Sequence, residues 1–184
     1  MDWLFLFFFI GMIGMTILYS YLYGITPTPT STKVKNQLLS MLPAMENIEI
    51  VELGSGWGTL AFTLARRFPT CQVIGYEISP FPYLVSKMIS YGIALSNLSI
   101  KRQDFFQISL NNASLIVCYL YPEAMQRLKI KFEQELAPNT YIITHTFAVP
   151  GWTPIHFKRA QDLYQTPIYL YQMKKNFEPI RELR

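Results

Sequence analysis

A glycine-rich turn sits between two segments of different periodicity, in Val51-Glu52-Leu53-Gly54-Ser55-Gly56-Trp57-Gly58-Thr59. Residues 48–53 form a short apolar, β-branched run. Residues 59–68 place Leu60, Ala61, Leu64, Ala65 and Phe68 at helical spacing, and Pro69 stops them. Glycines at such a junction let the backbone turn sharply. They also let a ligand approach main-chain N–H groups without a Cβ in the way. The start of the following helix adds the positive end of its dipole. A strand–turn–helix unit of this kind points to an α/β fold with a ligand site at the turn.

The remaining pattern agrees. Apolar runs at 72–76, 98–101, 114–119 and 141–146 read as buried strands. Residues 79–91 read as a helix, with Pro80 and Pro82 in its first turn and Gly92 ending it. Residues 122–136 read as an amphipathic helix with Met125, Leu128, Phe132 and Leu136 on one face. Strands alternating with helices predict a mainly parallel sheet with helices on both faces. Residues 155–158 and 168–173 are predicted to close it as an antiparallel pair, which makes seven strands in all. Ahead of the first strand, Ser31 or Thr32 can cap a short helix reaching about Leu42.

Hydrophobic residues make up 51% of the 184-residue chain and charged residues 15%, but the apolar excess is uneven. Residues 3–25 carry no charge, and at about 1.5 Å per residue a helix of that length crosses a hydrocarbon core of roughly 30 Å. Trp3 and the tyrosines 19, 21 and 23 mark its ends as an interfacial aromatic belt does. A cleaved signal peptide fits worse, because no positive segment precedes the run and no small-residue cleavage site is evident. Asp2 precedes the run while Lys33 and Lys35 follow it, so the positive-inside rule puts the rest of the chain on the cytosolic or an equivalent side. The alternating prolines of Thr26-Pro27-Thr28-Pro29-Thr30 favour an extended spacer. The expected organisation is a transmembrane anchor at 1–25, a linker and short helix at 26–43, and the α/β domain at 44–184.

The formal net charge of +4 comes without a basic stripe interleaved with aromatics, so nucleic acid is not an expected partner. A bilayer surface fits that balance. Cys71 and Cys118 lie in apolar runs without metal-ligand spacing, and no metal site is expected.

Three nucleotide sites compete for the glycine turn. A phosphate-binding loop needs Gly-Lys-Ser/Thr, which is absent, and a dinucleotide fingerprint needs G-x-G-x-x-G, whereas these glycines are spaced G-x-G-x-G. With an acid two places before the first glycine, the turn resembles motif I of class I methyltransferases. The cofactor implied is S-adenosylmethionine, held by Glu52, Gly54, Ser55, Gly56 and Gly58. Glu52 would lie near its ammonium group. Glu77 ends the second strand, roughly 20 residues beyond the turn, where an acid can receive both ribose hydroxyls; oxidoreductases use the same arrangement. Asp104 follows the third strand and can accept from an adenine amino group, with Phe105 packing on the ring; alternatively it is a turn-forming Asp. Tyr119 and Tyr121 at the end of the fourth strand, and His145 at the end of the fifth, are the candidate catalytic residues. Packing at a strand end is the competing role for either tyrosine, and a satisfied structural histidine for His145.

Taken together, the hydrophobic helix, the Pro-Thr-Pro linker, Glu52-Leu53-Gly54-Ser55-Gly56, Gly75-Tyr76-Glu77, Asp104-Phe105 and Gly151-Trp152-Thr153-Pro154 resemble the small membrane-anchored protein-lysine methyltransferases that modify the ATP synthase c-subunit and the adenine nucleotide translocase. The resemblance implies a Rossmann-like mixed sheet, closed by an antiparallel strand and preceded by one transmembrane helix. It also implies S-adenosylmethionine-dependent N-methylation of a lysine in a membrane protein. Trp57 and Thr59 stand where that family usually has an acid and a basic residue. A lipid or quinone acceptor, an oxidoreductase, and a non-catalytic nucleotide-binding module are the competing functions.

Overall fold

A computed structural model describes residues 28–174 throughout, together with isolated helical positions between residues 3 and 21. The expected membrane span therefore falls largely outside the described residues. Among those described, no helix is long and apolar enough to cross a membrane.

Residues 28–174 hold seven strands and four helices, in the expected order. Helix α1 is Thr32–Met41, followed by β1 Glu49–Leu53, α2 Thr59–Arg67, β2 Gln72–Glu77, α3 Pro80–Ile93, β3 Leu98–Arg102 and β4 Ala113–Cys118. Helix α4 Pro122–Glu135, β5 Tyr141–His145, β6 His156–Arg159 and β7 Pro167–Gln172 follow. The strands form one sheet in the order β3-β2-β1-β4-β5-β7-β6. Strands β1 to β5 pair in parallel, while β7 runs antiparallel to both β5 and β6. The closing strand therefore sits between β5 and β6. Edge strand β6 is exposed throughout and carries Lys158 and Arg159, charges that blunt an open edge.

The central strands read as unbroken apolar runs because helices cover both faces. Alternate residues go to opposite sides. Val51, Leu53, Ile74, Ile116, Cys118 and Ile142 meet Met125, Leu128 and Phe132 of α4. Ile50, Val73, Leu115, Val117 and Ile143 meet Leu60, Leu64 and Ala65 of α2. Helix α1 joins that second layer through Val34, Leu38 and Met41. Ser31 caps it, its hydroxyl accepting from the Val34 N–H at 3.3 Å.

Several boundaries shift by a residue or two, and one stop signal is misplaced. Gly92 does not end α3; the helix continues to Ile93, and Ala94 provides the left-handed cap at φ 51°. Pro80 does occupy the first turn.

The Gly151-Trp152-Thr153-Pro154 stretch lies in the connection between β5 and β6. Trp152 packs edge-on against Tyr171 at 5.9 Å between ring centroids, and its indole N–H donates to Glu133 at 3.1 Å. The Tyr171 hydroxyl accepts from the buried Val149 N–H at 3.1 Å, and burial pushes the phenol's pKa up to about 12. Tyr171→Phe leaves that N–H unpaired, which costs about 1–3 kcal/mol. A thermal melt is expected to fall by several degrees; an unchanged Tm contradicts the assignment.

Candidate functional site

The order of strands reverses between β1 and β4: β2 and β3 lie to one side of β1, and β4 and β5 to the other. Connections leaving these two strands diverge and open a crevice beyond their carboxyl ends. There the structure has a cleft with about 1040 Å³ of empty space, its open mouth included. That is room for a nucleoside-sized ligand. Its wall comes from the residues that follow β1, β2, β3 and β4 in turn, together with part of the linker before α1.

The glycine turn is tied to the neighbouring strand. Gly54 and Ser55 both donate their N–H to the Tyr76 carbonyl at 2.9 Å, and Gly58 donates to the Ser55 carbonyl at 2.8 Å. Gly56 donates to Glu77 Oε2 at 2.7 Å, and Ser79 donates to Glu77 Oε1 at 2.7 Å. Glu77 therefore bridges the turn after β1 and the start of α3, and its remaining lone pairs border the cleft. Gly54 adopts φ 75°, and a Cβ there would stand 2.9 Å from the Leu120 side chain. Any larger residue would have to displace that Leu120 methyl and hold a left-handed backbone that favours glycine.

Glu52, Gly54, Ser55, Gly56, Glu77, Asp104, Phe105, Tyr119 and Tyr121 all line the cleft. Gly58 does not. At φ 77°, a Cβ there would meet the Phe62 ring and the Ser86 Cβ at about 3.0 Å, so this glycine lets α2 pack closely on α3. His145 also stands outside the wall. It is buried behind Tyr119, with the two rings stacked at 4.3 Å. Its Nε2 lies 3.3 Å from Thr30 Oγ1 and its Nδ1 lies 3.2 Å from Thr146 Oγ1. Burial lowers its pKa to about 4, so the ring is neutral at physiological pH and a weak base.

Asp104 makes a turn as well as lining the cleft: its Oδ1 accepts from the Phe106 N–H at 2.9 Å. Phe105 and Phe106 pack together at 4.6 Å, and the Arg127 guanidinium sits 3.7 Å over the Phe106 ring. Trp57 lines the cleft and meets Phe81 edge-on at 5.5 Å. Thr59 lines it too.

Two buried polar atoms in this wall have no hydrogen-bond partner, Glu52 Oε2 and Ser55 Oγ. Burial raises the Glu52 pKa well above its usual range, and the nearby Glu77 charge adds to that; the Ala61 backbone offsets it in part. An orphaned carboxyl beside a cleft is suited to a cationic or N–H donor. The wall thus offers an acceptor for an ammonium (Glu52), one for hydroxyls (Glu77), and a carboxylate beside an aromatic ring (Asp104, Phe105). That set of acceptors fits an adenosine bearing an amino acid, as S-adenosylmethionine does.

Sequence reasoning missed Thr28, Pro29 and Thr30, which form part of the wall rather than only a spacer. It also missed Leu60, Leu120 and Arg127. The Thr-Pro run was visible as a pattern, but its place against the cleft depends on the Thr30–His145 contact, which spans 115 positions.

Residues 52–156 match the family described as the ANTKMT methyltransferase domain. A protein-lysine N-methyltransferase of Saccharolobus islandicus is 26% identical over 155 residues, 83% of this chain and 96% of that protein. The human lysine N-methyltransferase of the ATP synthase c-subunit is 25% identical over 159 residues, 79% of this chain and 67% of that protein. Among solved structures, an RNA methyltransferase from Salinibacter ruber in complex with S-adenosyl-L-homocysteine superposes with a TM-score of 0.75 at 22% identity, over 83% of this chain and 97% of that one. This likeness shows the fold.

Burial of Glu52 has a signed consequence. Its native pKa is raised, so in the window above the unfolded value, near 4.5, the native state keeps a proton that the unfolded chain releases. Stability therefore falls as pH rises through that window. Glu52→Gln is expected to remove this fall, so that the variant's Tm gains on the wild type as pH rises from about 4 to 8 in thermal melts. Parallel curves for the two proteins contradict the assignment.

Proposed function

This chain belongs to the ANTKMT methyltransferase domain family, and on that premise we propose that it N-methylates a lysine of a membrane protein, at the membrane its N-terminal segment enters. It is an S-adenosylmethionine-dependent methyltransferase of the protein-lysine class. The observation that carries the site assignment is the orphaned pair Glu52 Oε2 and Ser55 Oγ in a cleft bridged by Glu77.

When bound, S-adenosylmethionine supplies a methyl group on a positively charged sulfur that a neutral amine can displace in line. The chain's own residues do the rest. Glu77, already held by two backbone N–H groups, receives ribose hydroxyls without reorganising. Glu52 and Ser55 receive the amino-acid end, and a cation there draws the buried carboxyl back to its charged form. Asp104 and Phe105 hold the base. Gly54 and Gly56 contribute backbone to the same cradle.

At the acceptor end, the proposed work is desolvation and alignment. A lysine near its reference pKa of about 10.4 costs about 4–5 kcal/mol to deprotonate at pH 7. Tyr119 and Tyr121, with Thr28–Thr30 beside them, form a partly apolar wall that disfavours an ammonium and lowers this cost. His145, neutral and stacked on Tyr119, fixes that ring's orientation in this account instead of taking the proton. Positioning the amine can contribute roughly 7–11 kcal/mol of the barrier reduction.

The membrane part of the proposal rests on the uncharged run 3–25 and on the basic residues that follow it, Lys33 and Lys35, which favour a cytosolic or equivalent side. Incubating the full chain with labelled S-adenosylmethionine and membranes from its own source, followed by mass spectrometry, is expected to place label on lysine in an integral membrane protein. Label confined to the lipid extract, or no transfer at all, contradicts the proposal. Glu77→Ala is expected to weaken S-adenosylmethionine binding by roughly 10- to 100-fold in calorimetry, as loss of charge-assisted hydrogen bonds does. Gly54→Arg, which puts a large side chain on a left-handed turn against Leu120, is expected to abolish binding. Unchanged binding in both variants contradicts the site.

A further inference from the structure

The loop between β6 and β7 displays two large apolar side chains to solvent. Leu163 is 88% exposed and Tyr164 is 82% exposed. They are not loosely placed. Asp162 accepts from the Thr166 N–H at 2.8 Å and from the Thr166 hydroxyl at 2.6 Å. Ala160 donates to the Thr166 carbonyl at 2.9 Å, and Arg159 donates to the Gln165 carbonyl at 3.3 Å. These bonds close the loop on itself and leave the two hydrophobes exposed.

Topology fixes where they point. Strand β7 runs antiparallel to β5 with His145 opposite Ile168, so the loop preceding Pro167 lies beyond the carboxyl end of β5. The Thr146 N–H donates to the Pro167 carbonyl at 2.8 Å, which pins it there. This is also the end of the sheet that carries the cleft. The linker arrives at the same place, because Thr30 meets His145. Only residues 26 and 27 separate the apolar run 3–25 from Thr28 in the cleft wall. An extended chain spans at most about 3.3–3.6 Å per residue, so a membrane-embedded run holds Thr28 within roughly 10 Å of the bilayer.

We propose that the cleft-bearing end of the sheet faces the bilayer, and that Leu163 and Tyr164 enter its headgroup interface as a second contact beside the anchor. The proposal rests on the anchored reading of residues 3–25. The loop's chemistry fits a lipid interface. Leucine supplies apolar area, and a tyrosine places its ring in the acyl boundary and its hydroxyl in the headgroups. Lys33 and Arg159, both exposed, flank the loop with positive charge that an anionic surface attracts. Asp162, the loop's acid, keeps its negative charge, because the Thr166 hydrogen bonds hold its carboxyl below the usual range, and the Lys33 charge lies close enough to act on it. Helix α3 also exposes apolar residues, Leu84, Met88 and Tyr91, but it packs on β2 and β3 at the far edge of the sheet, away from the linker. A second contact beside the anchor fixes the orientation of the domain on the bilayer. The cleft mouth then meets side chains presented at membrane level.

The test uses the full chain reconstituted in phosphatidylcholine vesicles containing phosphatidylglycerol. Leu163→Cys and, separately, Met88→Cys are labelled with an environment-sensitive fluorophore; the native thiols, Cys71 and Cys118, are buried. The expected result is a blue-shifted Leu163 label, quenched several-fold more by brominated lipid than the Met88 label. Equal quenching at both sites, or stronger quenching at Met88, in protein that floats with the vesicles overturns the orientation and leaves the anchor standing. Failure to float overturns the anchored reading and the contact with it. Protection of Leu163 that needs added membrane proteins, and is absent in pure lipid, assigns the loop to a protein partner and also overturns the proposal. As a second reading, Leu163→Asp/Tyr164→Asp is expected to leave S-adenosylmethionine binding unchanged and to lower methylation of a membrane-embedded acceptor several-fold. Full activity on that acceptor in the double variant contradicts the proposed contact.

Discussion

The carboxylate of Glu77 takes one backbone N–H from the glycine turn and one from the start of α3, each at 2.7 Å. Those two bonds set the distance between the loop after β1 and the loop after β2, and so the width of the cleft. They exist because β1 and β2 pair in parallel register, with Leu53 opposite Tyr76, which brings the turn alongside the tip of β2. A charged acceptor held by two N–H donors is already oriented before any ligand arrives. Reorganisation at the moment of binding is correspondingly small. Without that bridge, Gly56 loses its partner and the positive-φ turn has one fewer constraint.

Against this satisfied acid stands an unsatisfied one. Glu52, one strand position before Leu53, points toward the α2 side of the sheet, with Oε2 unpaired. Burying a polar group without a partner costs free energy. The fold carries that cost at a cleft wall, where an incoming donor relieves it. The two acids differ in environment: Glu77 is held by two backbone N–H groups, and Glu52 Oε2 has no partner. The linker completes the enclosure, with Thr30 held to His145, and His145 stacked on the wall residue Tyr119. Tether, histidine and cleft wall are thus one connected structure.

How much of this was legible in the sequence differs from residue to residue. The parallel strands were visible because their runs are buried on both faces. The glycine turn was visible because few other sequences turn so tightly between strand and helix. Gly58 was grouped with the ligand glycines because spacing alone does not distinguish a cradle from a packing contact; only the nearness of Phe62 and Ser86 separates them. Gly92 reads locally as the end of α3, yet Ala94 caps it, because a helix on the sheet can tolerate a glycine in its last turn. His145 was visible as a candidate but not its place behind Tyr119. Thr28–Thr30 looked like a spacer because nothing local shows a partner more than a hundred positions away. Leu163 and Tyr164 carried no signal at all, since two apolar residues in a loop become informative only once their exposure is known.

A crystal structure of the protein with S-adenosylhomocysteine tests the central claim most directly. The ribose hydroxyls are expected on Glu77, the amino-acid end against Glu52 and Ser55, and the base beside Asp104 and Phe105. A complex with the ligand elsewhere, or with those side chains closed across an empty cleft, contradicts this assignment.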